Sequence, residues 1–226
     1  MKTEYYLKQY GQKKPYVPQK INYRNTIDVM LKKFGNMSVD LIRRYLQAAA
    51  DKDNEHSQSN TQVEVKANAV IASMTTLCSY GKCRLEGDVL IYNTKKDINA
   101  NIMDCLWVAL DYFKVQSGEK YFAQDDLFIP EEPCALCKVT ENGPISFIEV
   151  DETSIPLLIM LQNNYLMIDK KMSDKSISLG GYIIVVRYED TVQKIRELDL
   201  CMPYKIALLK TGETRFGTPK SIRYFD

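Results

Sequence analysis

A single histidine, His56, and a single tryptophan, Trp107, stand in this chain of 226 residues. One histidine in a hydrophilic stretch leaves no convincing Ser-His-Asp set, no His-Cys dyad and no metal cage of several histidines. Long apolar runs are missing too. The most apolar segment, residues 155–168, is broken by Gln162, Asn163 and Asn164, whereas a membrane span needs ~20 mostly apolar residues. No hydrophobic stretch of the secretory kind follows Met1 to Tyr6, so the six cysteines are expected as reduced thiols of a cytoplasmic protein. Gly180-Gly181 and Thr211-Gly212 lack the Lys-Ser/Thr of a phosphate loop and read as turns.

What is present suits a folded core. Hydrophobic residues make up 45% and charged residues 26%, which excludes a disordered, collagenous or coiled-coil chain. A chain of this size buries roughly 70% of its unfolded surface. The net charge of +1 conceals a split. Residues 1–97 hold 16 Lys/Arg against 10 Asp/Glu, and residues 98–226 hold 14 against 19. A basic front and an acidic back point to a polyanion partner for the front.

The first 24 residues set Lys2, Lys8, Lys13, Lys14, Lys20 and Arg24 among five tyrosines, with Pro15 and Pro18 forbidding a continuous helix. This is an extended basic arm able to track phosphates, or a strap whose tyrosines pack on the domain. Three helices are predicted next. Asn25 caps the first, with Asp28 in its early turn, and Gly35 ends it. Ser38 caps the second, with Arg43 and Arg44 outward. Residues 51–61 read as a loop, and the third helix runs from about Val63 to Tyr80. Gly81 closes it in a left-handed conformation, and a hairpin follows around Glu86-Gly87-Asp88. That order predicts a winged helix-turn-helix over residues 25–97, after an arm over 1–24. Its candidate DNA contacts are Lys13, Lys14, Lys20, Arg24, Arg43, Arg44, Lys66, Asn68, Thr75, Lys82, Arg84, Lys95 and Lys96, with Ser73 and Thr76 beside Asn68.

Residues 98–226 predict a second unit: a helix carrying Trp107, a hairpin over 135–150, a helix over about 154–168, and strands at 182–187 and 204–209 around a helix capped by Asp190. The chain is thus expected to be α+β, with two domains and a mixed sheet in the second. The hairpin's second strand ends Phe147-Ile-Glu-Val-Asp-Glu152, and alternation places Glu149 and Asp151 on one face, where two carboxylates could hold a divalent cation. Glu131 and Glu132 precede the first strand as further candidate acids. Cys134-x-x-Cys137 lacks a second pair for zinc and a helix start for redox work, so small core residues are expected there.

Winged helix, hairpin, the acidic Phe147–Glu152 motif and Tyr182-Ile-Ile-Val-Val-Arg-Tyr-Glu-Asp190 together resemble the replication-relaxation and mobilisation accessory proteins of bacterial plasmids and conjugative elements. The resemblance implies a domain with the restriction-endonuclease-like fold, related to PD-(D/E)xK nucleases. Glu149 then matches the glutamate of the E-x-K strand and Asp151 stands in place of the lysine. The aspartate of the preceding strand is missing, with Cys134 or Ala135 in its neighbourhood. A carboxylate cannot supply the lysine's positive charge, so the expectation is a non-enzymatic binder of double-stranded DNA. It would need no metal or cofactor, and a relaxase or replication protein is the further partner. A metal-dependent nuclease using Glu149, Asp151 and Glu131 or Glu132, and a protein-interaction scaffold, are the alternatives.

Overall fold

The computed structural model describes residues 21–56, 64–95, 97–116, 127–129, 133–172 and 180–226. Helix α1, Tyr23–Phe34, is capped three residues before the expected position: the Asn22 side chain accepts from the Asn25 amide at 3.2 Å. Asp28 consequently lies beyond the first turn. Ile27, Met30, Leu31 and Phe34 recur at helical spacing and are buried, and Gly35 at φ 84° ends the helix. Strand β1, Asn36–Ser38, leads into α2, Val39–His56, with Ser38 Oγ accepting from the Leu41 amide at 3.2 Å. The loop expected over 51–61 is corrected for residues 51–56, which continue α2. Polarity alone does not break a helix. This stretch has no Gly or Pro, and Gln47 donates across one turn to Asp51 at 2.9 Å.

Helix α3, Ala67–Ser79, buries Val70, Met74 and Leu77. Gly81 at φ 68° closes it as expected, with its amide on Cys78 O and the Lys82 amide on Leu77 O. Strands β2, Cys83–Glu86, and β3, Val89–Tyr92, form the hairpin, and β1 pairs antiparallel with the other edge of β3, giving the order β1-β3-β2. The three-residue β1 was not foreseen.

Helix α4, Ala100–Val115, is capped by Asn99, whose backbone exchanges two hydrogen bonds with the Asn36 side chain. A second sheet then follows the order β4-β5-β6-β7-β8-β9. Its strands are β4 (Leu127–Phe128), β5 (Leu136–Thr140), β6 (Gly143–Glu149), β7 (Gly181–Val186), β8 (Tyr204–Lys210) and β9 (Ser221–Phe225). Helix α5, Pro156–Met172, connects β6 to β7, and α6, Glu189–Arg196, connects β7 to β8, so these three strands run parallel while the outer pairs are antiparallel. Tyr188, not Asp190, occupies the N-cap of α6, and Asp190 lies in its first turn. Strands β4 and β9 were also not foreseen. Among the described residues the protein is mixed α and β, with six α-helices, and no helix is long and apolar enough to cross a membrane.

Strand alternation sorts the second sheet into two faces. Ile148, Ile184, Val186, Ile206 and Leu208 pack with Leu158 and Leu161 of α5 and Val192 and Ile195 of α6. Phe147, Ile183, Val185, Ala207 and Leu209 face the other way, into a core that also holds Trp107 and Phe113 of α4 and continues to Tyr45, Met37 and Leu90. Helix α4 is buried on nearly every side because it lies between the second sheet and the α2–β1 region. Gly180, just before β7, has φ 72°, and a Cβ there would sit 1.7 Å from the Pro144 carbonyl oxygen. Gly87, at the hairpin tip, has φ 60° but open space around it. Gly180→Ala is therefore expected to cost ~2–4 kcal/mol in urea unfolding, and Gly87→Ala only ~1–2 kcal/mol.

Candidate functional site

Three parallel strands place their carboxyl ends side by side, the position at which open α/β sheets present polar groups to a crevice. Here β6 ends on Glu149, Arg187 directly follows β7, and Thr211 directly follows β8. Helix α4 brings Asp104 against them from the core side. Arg187 Nε donates to Asp104 Oδ2 at 2.8 Å, its Nη2 reaches both Asp104 oxygens, and its Nη1 donates to Thr211 Oγ1 at 2.7 Å. Arg215, from the β8–β9 loop, approaches from outside and donates to both Asp104 oxygens at 3.2 Å. The Asp104 side chain is 3% exposed and those of Glu149 and Arg187 13% each, so this is a desolvated cluster.

Glu149 is the odd charge in it. Its Oε1 lies 3.5 Å from Arg187 Nε, while its Oε2 is buried with no donor beside it among the described residues. The group it meets is the Asp104 carboxyl, and two carboxyls can bond only by sharing a proton. Burial, reinforced by the charge of Asp104 and only partly offset by Arg187, pushes the Glu149 carboxyl up to about 8. Asp104 is also raised by burial, against the pull of Arg187. The bidentate guanidinium holds Asp104 as the anion, and Glu149 carries the proton. The cluster then holds one anion and two arginines, with Arg215 at its outer, 41% exposed edge.

Asp151 does not join it. Strand β6 ends at Glu149, so the alternation that would have aligned the two acids stops, and Asp151 turns outward. Its Oδ1 accepts from the amides of Thr153 and Ser154, both at 2.9 Å, and from their hydroxyls at 2.8 and 2.7 Å. Those bonds hold the Asp151 carboxyl down to about 2 and make it the cap of the turn entering α5. The expected pairing of Glu149 with Asp151 as cation ligands is thus corrected. Glu131 and Glu132 lie outside the described residues. Among the described residues no group of three or more His, Cys, Asp or Glu side chains could hold a metal ion. Cys137 is buried in β5, and Cys134, half-buried, precedes it.

The basic candidates are placed as follows. Lys13, Lys14, Lys20 and Lys96 lie outside the described residues. Arg24 stands exposed in the first turn of α1, and Lys66 is exposed at the N-cap of α3. Asn68 and Thr75 are exposed on α3, but the Thr75 hydroxyl donates to the Ile71 carbonyl at 3.0 Å, and Ser73 and Thr76 likewise bond back into their own helix. Arg43 projects from α2, 3.9 Å from Asp40, and Arg44 is half-buried there. Lys82 pairs with Asp28 at 3.0 Å. Burial pushes Asp28 up, but Lys32 and Lys82 together outweigh it and leave its carboxyl below the ordinary value. Arg84 pairs with Glu86 at 2.7 Å and donates to the Lys95 carbonyl at 3.0 Å, while the Lys95 stem passes over Gly35. Arg24 and Lys66 flank α3, while Arg43, Lys82 and Arg84 lie beside acids of the same unit.

Asp104, Arg187 and Arg215 were missed by sequence reasoning. The usable signal was Asp104 itself, a charge lodged between Met103 and Cys105 on a helix that is apolar around most of its circumference. The β8–β9 loop that carries Arg215 also grips the N-terminal half. Thr218 donates to Asp40 through its amide and hydroxyl, and Thr214 donates to Asp88 at 3.1 Å. The cleft of about 590 Å³ beside it sets Asp40 and Glu213 against Lys220, a mixed lining that favours neither charge of ligand.

Because the folded-state Glu149 proton is held more tightly than in the unfolded chain, the Glu149 contribution to stability is full below about pH 4.5 and is lost as pH rises through about 8. Thermal melts are expected to show a loss of at least ~1 kcal/mol between about pH 5 and about pH 8.5, and Glu149→Gln should flatten that slope. Arg187→Met, which leaves Asp104 only the partly exposed Arg215, should cost ~3–5 kcal/mol by urea unfolding.

Compared with protein-family models, curated proteins and solved structures, the chain matches none.

Proposed function

We propose that the protein is a non-enzymatic double-stranded DNA-binding protein, an accessory or regulator of replication or mobilisation in a mobile genetic element. The observation that carries the reading is the pairing of β1 with β3. A short strand between the first two helices, laid against the far strand of a hairpin that follows the third, supports a winged helix, a fold in which the third helix enters the major groove. Helix α3 keeps Asn68 and Thr75 on its exposed side, Lys66 is exposed at its N-cap, Arg24 stands nearby at the start of α1, and the first 97 residues hold the basic excess. The second sheet, with its parallel β6-β7-β8 core and antiparallel β5–β6 hairpin, supports a restriction-endonuclease-like second unit. In it Glu149 is covered by Arg187 and the lysine position is Asp151, a turn cap, so phosphodiester hydrolysis is not part of the reading.

A second reading rests on Ile71 and Leu85, 51% and 53% exposed on α3 and the hairpin, which suit a protein partner such as a relaxase or replication protein.

Fluorescence anisotropy with duplex DNA tests the first reading. Affinity should fall linearly in log–log form with salt, and Arg24→Ala with Lys66→Ala should weaken binding at least ~10-fold and reduce the salt slope by about two. Absence of duplex affinity at low salt removes it in favour of the protein-docking reading. Incubation of supercoiled DNA with magnesium or manganese should leave it uncut; cleavage abolished by Glu149→Ala would reinstate the nuclease.

A further inference from the structure

Two thiols meet at the joint between α3 and the hairpin. Cys78 lies in the last turn of α3 and Cys83 opens β2, with their sulfurs 3.6 Å apart. The intervening chain is not slack. Gly81 holds the left-handed turn at φ 68°, the Lys82 amide is bonded to Leu77 O, and Asn93 Nδ2 donates to Gly81 O at 2.7 Å. Both sulfurs are therefore held close together by a braced backbone, and a disulfide requires them to close from 3.6 Å to ~2.05 Å.

We propose that Cys78 and Cys83 form an oxidation site at which a hydroperoxide converts the thiol pair into an intramolecular disulfide that pins the end of α3 to the first strand of the hairpin. The two thiols have different exposure, and that orders the steps. Cys78 is half-buried, whereas Cys83 is 3% exposed. The Cys78 thiolate attacks the terminal peroxide oxygen: the O–O bond breaks, an S–O bond forms, and the alkoxide or hydroxide leaves with a proton as alcohol or water. The Cys83 sulfur then attacks the Cys78 sulfenic sulfur, an S–S bond forms, the S–O bond breaks, and water leaves. One peroxide is reduced by two electrons and two thiols are oxidised. Burial, together with the neighbouring Cys78 sulfur, pushes the Cys83 thiol up to about 12, which suits it to the second step only. Conversion of Cys78 to the neutral sulfenic acid removes part of that burden.

The site does not depend on the nucleic-acid reading, and neither does its test. The reduced full-length protein is treated with hydrogen peroxide, free thiols are blocked, and tryptic peptides are mapped. Trypsin cuts after Lys66, Lys82 and Arg84, so the disulfide appears as the peptide 67–82 joined to Cys83-Arg84. The expected result is that joined species, reversed by dithiothreitol. In Cys83→Ala, a dimedone adduct should accumulate on Cys78; in Cys78→Ser, Cys83 should stay unmodified under the same exposure. A map in which Cys201, the exposed thiol, is oxidised while 78 and 83 remain separate and reduced overturns the proposal. So does a dimedone adduct on Cys83 in Cys78→Ser.

Discussion

The Asp104–Arg187 ion pair ties the most buried helix, α4, to the carboxyl end of β7. An aspartate inside a helix buried on nearly all sides is tolerable only if a cation reaches it with several hydrogen bonds, because the desolvation of both partners must be offset by close, well-directed contacts. Arg187 meets that condition through two of its nitrogens, and Thr211 takes a third. The requirement dictates much else: β7 must end where α4 passes, β8 must end beside it, and Glu149, arriving at the end of β6, must keep its proton. A second arginine, Arg215, then draws the β8–β9 loop inward, and the same loop reaches Asp40 and Asp88 in the N-terminal half.

This wiring separates the two kinds of charge in the protein. Inside, Arg187 and Arg215 meet Asp104, and Glu149 packs against the same group, so its carboxyl is held in structure. Outside, several of the basic side chains of the N-terminal unit lie beside acids of their own unit, as Lys82 does with Asp28 and Arg84 with Glu86. The exposed Arg84–Glu86 pair is worth little and can be exchanged for phosphate at small cost, whereas the Asp28 side chain is only 13% exposed. The winged-helix reading therefore rests on shape and on Arg24, Lys66 and Asn68 rather than on the total of lysines.

Legibility from sequence followed the length scale of the cause. The third helix, its Gly81 closure and both long hairpins follow from local patterns: apolar spacing of three and four, alternation, and turn residues between them. Strands β1, β4 and β9 escaped because two or three residues carry no periodicity and β9 pairs only as an outer strand. Residues 51–56 were misread because a polar helix and a polar loop share a composition, and only the hydrogen bonds decide. Glu149 was visible as a candidate, but its partner was not Asp151, two residues away; it was Asp104, 45 residues earlier in the chain.

By itself the sequence determined the third helix, its closure at Gly81 and the two hairpins, and that the basic charge is gathered in the first half, because each of these is set by neighbours within a few residues. The tertiary structure alone decided that β1 joins the hairpin, that an aspartate on α4 meets an arginine 83 residues later, and that Cys78 and Cys83 touch. Those outcomes depend on which surfaces bury one another. Burial also sets the protonation of Glu149, for a carboxyl's charge is governed by the water it loses and the charges it meets, and neither is written in the order of residues.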